Sequence, residues 1–142
     1  MYVAEQVQKL IKQYKTRDPF SICEQKNIAI IYDDLELDVR GFYQYYKRKS
    51  MIHLNQNISP EEQRIVLAHE LGHAVMHKDY NCIFLSRHTY MTKNIYEHQA
   101  NLFAAELLLP DAVPVDFYNM SYQQLAALYH VPAVFVEMKW RK

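Results

Sequence analysis

The chain has 142 residues, half of them hydrophobic, which is enough to bury one core and too few for two. Sixteen Lys and Arg balance sixteen Asp and Glu, so no global attraction draws the chain to nucleic acid or to an anionic membrane. Cys23 and Cys82 are too few for a disulfide framework, no export-type leader opens the chain, and no apolar run approaches the roughly eighteen residues of a membrane span, so a single soluble domain over 1–142, resident in the cytoplasm, is expected.

Val3, Val7, Leu10, Ile11 and Tyr14 recur at helical spacing, and Asp18-Pro19 offers a cap and a first-turn residue for a second short helix. Residues 28–32 are apolar and rich in isoleucine. Residues 41–46 and 51–55 read as two further strands joined by the basic turn Lys47-Arg48-Lys49-Ser50, giving a small, mostly antiparallel three-stranded sheet. Tyr43, Tyr45 and Tyr46 read as half-buried strand residues rather than as an aromatic ligand platform. Ser59-Pro60-Glu61-Glu62 supplies an N-cap, a first-turn proline and a glutamate three past the cap, which fixes where the next helix starts. An irregular polar stretch over about 79–92 leads to a helix over 94–109 that Pro110 terminates, followed by a loop over 110–119. Ser121 caps a helix to Tyr129, and Val131-Pro132 breaks it before a last helix through Trp140. The expected class is α+β, with a core over about 20–110 and a C-terminal helical pair over 121–141. No repeat or linker interrupts it.

The chemistry concentrates in His69-Glu70-Leu71-Gly72-His73, an HExxH pattern that arises by chance in roughly one chain in a few hundred of this length. Residues four apart on a helix share a face, so His69 and His73 can aim a ring nitrogen each at one ion. Glu70 lies roughly 100° around the helix, suited to holding a water as general base. Zinc would lower the pKa of that water towards ~7 and polarise the carbonyl under attack.

A catalytic site needs a third protein ligand. His77 is one further turn along, but no glycine after His73 turns the chain back, so its ring is expected to miss the ion. His98 adjoins a stronger candidate, His88 lies in the irregular stretch, and His53 on a strand face could line the cleft. Glu97 is the better choice, because Asn101 falls one turn later on the same face and can orient His69 or His73, and Ala100 and Ala104 let two helices approach. Alone, Glu97 would read as a solvated helix residue; beside HExxH the ligand reading prevails. Histidine and carboxylate donors suit Zn2+, although manganese or iron could also fit. His53, His77, Tyr80 and Tyr96 all remain open as groups that could stabilise an oxyanion.

His69 to His73 followed by Glu97-His98-Gln99-Ala100-Asn101-Leu102-Phe103-Ala104-Ala105-Glu106-Leu107-Leu108-Leu109-Pro110 resembles the ImmA/IrrE family of metallopeptidases, in which an ExxAN-x-FAA-x-LLxP segment trails the HExxH helix. The resemblance covers about residues 20–110. It implies a small zincin-like α+β domain, a gluzincin-like zinc peptidase with His69, His73 and Glu97 as zinc ligands and Glu70 as catalytic acid/base. It also implies a narrow protein substrate: family members of bacteria, phages and other mobile elements cleave a helix-turn-helix repressor, which derepresses genes for excision, lysis or stress response. That repressor is expected on a separate chain. Asn101 stands where many zincins carry an Asp.

Two rival readings come from other classes. Residues 123–140 resemble half of a helix-turn-helix, but Ala133 to Trp140 is too apolar for a DNA groove, and packing on the catalytic domain is preferred. The chain could instead sequester its repressor without cutting it, yet a purely structural metal site has no use for Glu70. Substrate docking as an added strand near residues 51–55 is a further expectation.

Overall fold

The computed structural model describes residues 2–79, 83–85 and 94–141, with 83–85 described by backbone alone. Tyr80, Cys82 and His88 lie outside the described residues. Helix α1 (Tyr2–Tyr14) buries Val3, Val7 and Leu10, and α2 (Pro19–Gln25) starts on Asp18, whose side chain accepts from the Phe20 amide. Strands β1 (Ala29–Asp33), β2 (Val39–Tyr46) and β3 (Lys49–Asn55) precede α3 (Pro60–Met76). Then follow β4 (Ile83–Leu85), α4 (Ile95–Leu108), a short 3-10 turn (Val115–Phe117), α5 (Tyr122–Tyr129) and α6 (Ala133–Trp140). The architecture is α+β.

The sheet runs β1-β3-β2-β4 and is mixed. The hairpin of β2 and β3 is antiparallel, but β3 folds back between β2 and β1 and runs parallel to β1. Two expectations change here. The irregular stretch contains a short strand, β4, which pairs with β2 across a register shift between Val39 and Gly41. Residues 51–55 are not an edge, because both sides of β3 already carry a ladder, and an added strand could join only β1 or β4.

One face of the sheet packs on α3. Ile52 and Leu54 are fully buried, and alternation turns His53 between them to the opposite face, where it stacks on Phe42 at 4.2 Å and sits 2.6 Å from Asp33. His53 therefore does not line the site on α3. Gly41 leaves no room for a side chain between sheet and helix: a Cβ there would stand 2.5 Å from the His53 carbonyl oxygen of β3 and 2.9 Å from Val66 Cγ1 of α3. Gly41→Ala must push β2 off both, so it is expected to destabilise the fold by about 2 to 3 kcal/mol, read as a lower urea midpoint at unchanged slope.

Helix α3 is buried on every side from Ile65 to His73, the mark of a helix sandwiched between layers. Its other neighbours are α2 and, more extensively, α4, which α1 and α6 also flank. The far end of α4 is clasped by two cations. Arg17 donates to the carbonyls of Glu106 (2.9 Å) and Leu109 (2.8 Å), and Lys139 donates to the same two at 2.7 and 2.6 Å. Phe135, Val136 and Trp140 of α6 are buried, so its apolar face is spent on packing rather than offered to a groove.

Candidate metal centre

Local sequence explains how each side chain arrives. Ser59 accepts from the Glu62 amide and starts α3 ten residues before His69, so the register of His69, Glu70 and His73 is set by a defined cap. Asn94 accepts from the Tyr96 and Glu97 amides and starts α4 with Glu97 in its first turn. Between the helices stands Gly72, where a Cβ would meet Phe103 at 3.1 Å. A glycine costs about 1 kcal/mol inside a helix, and here it lets α4 come close enough for Glu97 to face both histidines.

His69, His73 and Glu97 each present a ligand atom within 4.8 Å of the others, and all three are buried. His69 Nε2 lies 3.0 Å from Glu97 Oε1, and His73 Nε2 lies 2.9 Å from Oε2, the latter without hydrogen-bond alignment. The other ring nitrogens show what charge belongs between them. Asn101 Oδ1 can only accept, so His69 Nδ1 donates to it, at 2.7 Å. Gln99 Oε1 can likewise only accept, so His77 Nε2 donates to it at 2.6 Å. His77 Nδ1 is then left to accept from His73 Nδ1 at 3.0 Å. In their neutral forms both imidazoles therefore turn the Nε2 lone pair towards a carboxylate, an arrangement that a cation between them would favour.

The electrostatics agree. Burial holds the His73 imidazole below its usual value, and nearby His69 adds to this, while Glu97 opposes it; the neutral, metal-ligating form is the one burial favours. Burial alone would raise Glu97, but when the facing Nε2 atoms carry protons, the hydrogen bonds and charge of His69 and His73 outweigh it and hold the carboxyl well below the usual carboxylate range, hence ionised; a metal among the donors would take the place of those protons. Glu70 shows the reverse. It is fully buried, neither carboxylate oxygen has a hydrogen-bond partner among the described residues, and Oε2 stands 3.8 Å from His69 Nε2. Burial, then the Glu97 charge, push its carboxyl well above the ordinary value; the Tyr43 backbone amide offsets this weakly without hydrogen-bond alignment. A cation among the three donors would draw it back down. Donor set, protonation pattern and orphaned carboxylate all fit a divalent metal.

Residues 23–141 match the peptidase family described as the IrrE N-terminal-like domain. The chain belongs to this family. It is 35% identical over 144 residues to Metallopeptidase ImmA of Bacillus subtilis (strain 168), covering 96% of this chain and 83% of that protein. It is also 39% identical over 135 residues to Uncharacterized immunity region protein 2 of Bacillus phage phi105, covering 94% of this chain and 85% of that one. A solved Mycobacterium tuberculosis transcriptional regulator shares the fold, with a TM-score of 0.56 at 14% identity over 97% of this chain. This chain spans 46% of that larger protein.

The remaining candidates of this peptidase domain are dispersed. His77 ends α3 with φ −131° and ψ 58°, which brings its ring against His73 rather than to the donor cluster. His98 is exposed on α4. Tyr96 lies edge-on to His77 at 4.8 Å, beside the site. Gln99 was not singled out from the sequence. No spacing rule links it to His77, because their contact depends on the chain leaving helical geometry at that residue.

Proposed function

We propose that this metallopeptidase is a zinc-dependent endopeptidase that cleaves a helix-turn-helix transcriptional repressor carried on a separate chain, and so derepresses genes of a mobile element or a stress response. The observation that carries the reading is the convergence of two imidazoles and a carboxylate beside a buried Glu70 that has no hydrogen-bond partner among the described residues. His69, His73 and Glu97 would hold the ion, with Asn101 orienting His69, and His77 backed by Gln99 orienting His73. Zinc, when bound, supplies a Lewis acid that makes water a better nucleophile near neutral pH and polarises the scissile carbonyl. Glu70 accepts the proton of the attacking water as the carbon–oxygen bond forms, then delivers it to the amine nitrogen as the peptide bond breaks. The relatives support a protein substrate: one is named a metallopeptidase and the other belongs to a phage immunity region. No helix among the described residues is long and apolar enough to cross a membrane, which accords with action on a repressor in a bacterial cytoplasm.

Purified protein, zinc-loaded and desalted, is expected to cut a helix-turn-helix repressor of its own genome into two fragments visible by mass spectrometry. Chelation should stop the cutting and added zinc restore it. Zinc-bound protein that binds such a repressor without cutting it would favour sequestration.

A further inference from the structure

A cavity of about 750 Å³ opens where the end of α2, the starts of β1 and β3 and the last turn of α3 meet, and Lys26, Arg48, Lys49 and Lys78 stand around it. Ile28 and Val75 give it an apolar floor. None of its lining residues is a carboxylate, and none of the four cations is ion-paired among the described residues. In a chain of zero net charge this is a local concentration, and gathering like charges around one concavity destabilises the unoccupied fold. Lys26 lies over the Tyr14 ring at 5.8 Å and Lys78 over the Tyr45 ring at 4.8 Å, which steadies the ammonium groups without neutralising them.

The hairpin tip points the same way. Lys47 (φ 50°) and Arg48 (φ 65°) are both left-handed, and they are the two loop residues between paired Tyr46 and Lys49. That turn strongly prefers Asn-Gly, and side chains branching from a Cβ bear a conformational cost there. Lysine and arginine gain nothing as turn formers, so the strain leads to a role for their charge. The cavity also has a neighbour on the side of the candidate metal centre, with Lys78 common to both. Lys78 lines an adjoining cleft of about 390 Å³ together with His77 and Tyr96, and His77 touches His73. Asp79, in that cleft, is the one carboxylate among the described lining residues of the two.

We infer that this basic cavity is a docking site for an acidic segment of the protein substrate, held to one side of the scissile peptide. The inference rests on the peptidase reading for the word substrate, and on charge complementarity and the shared Lys78 for the docking. The segment's carboxylates meet the four cations while its aliphatic stems cover Ile28 and Val75.

The test uses zinc-bound Glu70→Gln protein and fluorescein-labelled decapeptides carrying a run of glutamates, lysines or serines, followed by anisotropy at low and high salt. The glutamate peptide should bind at least roughly tenfold tighter than the serine peptide and weaken as salt rises. Arg48→Gly should weaken it several-fold while raising Tm by a few degrees, since glycine relieves the turn; a merely structural arginine would not separate the two readouts. Charge reversal by Arg48→Glu with Lys49→Glu should remove the preference. Equal affinity for glutamate and serine peptides, or affinity indifferent to these variants, overturns the proposal. So does a site that takes tripolyphosphate or ADP through the same residues but no acidic peptide. Peptide binding as stated, with neither peptide nor repressor cleaved by the zinc-loaded parent, leaves the docking site standing and removes the peptidase reading. Cleavage indifferent to flanking acid does the opposite.

Discussion

Glu70→Gln is expected to abolish peptide hydrolysis while leaving the metal in place. Glutamine keeps the shape and removes the proton acceptor. Losing a positioned general base costs a factor on the order of 10² to 10⁴ in turnover. The fold should bear the change well, because Glu70 is an ionisable group buried without a hydrogen-bond partner among the described residues, raised by its surroundings towards a neutral form that glutamine resembles. Two measurements on one preparation decide it: the rate on a repressor or peptide, and zinc content by elemental analysis. Metal lost together with activity would mean that Glu70 supports the ion rather than the proton transfer. Derepression by the variant at the parent's level would remove the peptidase reading in favour of sequestration.

Glu97→Ala is expected to take the metal away. The parent, loaded with zinc and desalted, should retain about one ion per chain, and the variant close to none. Dividing the roughly 10–16 kcal/mol of a protein zinc site among three protein ligands gives about 3–5 kcal/mol for one, a weakening of roughly 10²- to 10⁴-fold. The loss reaches beyond one donor. Glu97 is the anion both Nε2 atoms face, at 3.0 and 2.9 Å, and without it the two imidazoles confront each other with no charge to hold a cation between them. A competition titration against a chelator of known affinity would give the fold-change directly. No zinc in parent or variant would leave a scaffold or interaction role as the better reading.

Much of this site could be read from the chain, and the reasons are local. Ser59-Pro60 is a cap, so the start of α3 was visible as short-range chemistry, whereas Asn94, read as the first residue of α4, is its cap. The spacing of four between His69 and His73, and again between Glu97 and Asn101, is a property of one helix, which let each helix be assigned a face. That Asn101 would serve His69 rather than His73 was open, because it depends on how the helices cross. The sheet was harder for the same reason. An apolar β-branched run looks alike in either direction, so the parallel pairing of β1 with β3 left no trace in composition. With β3 placed inside, the expected docking edge disappeared. Strand β4 is three residues long, too short for alternation to register. His77 was assigned to a continuing helix, whereas the helix ends one residue earlier and the ring swings back to His73.

The clasp on the last turn of α4 has a consequence for how the protein is made. The carbonyls of Glu106 and Leu109 are covered jointly by Arg17, from the beginning of the chain, and by Lys139, from α6. Phe135 and Val136 of α6 complete the burial on that side. A nascent chain emerging from the ribosome exposes His69 and Glu97 long before it exposes Lys139, so the helix that carries Glu97 lacks its full packing until translation reaches α6. A chain made only as far as α5 is thus expected to carry Glu97 on an incompletely packed helix and to hold a metal poorly.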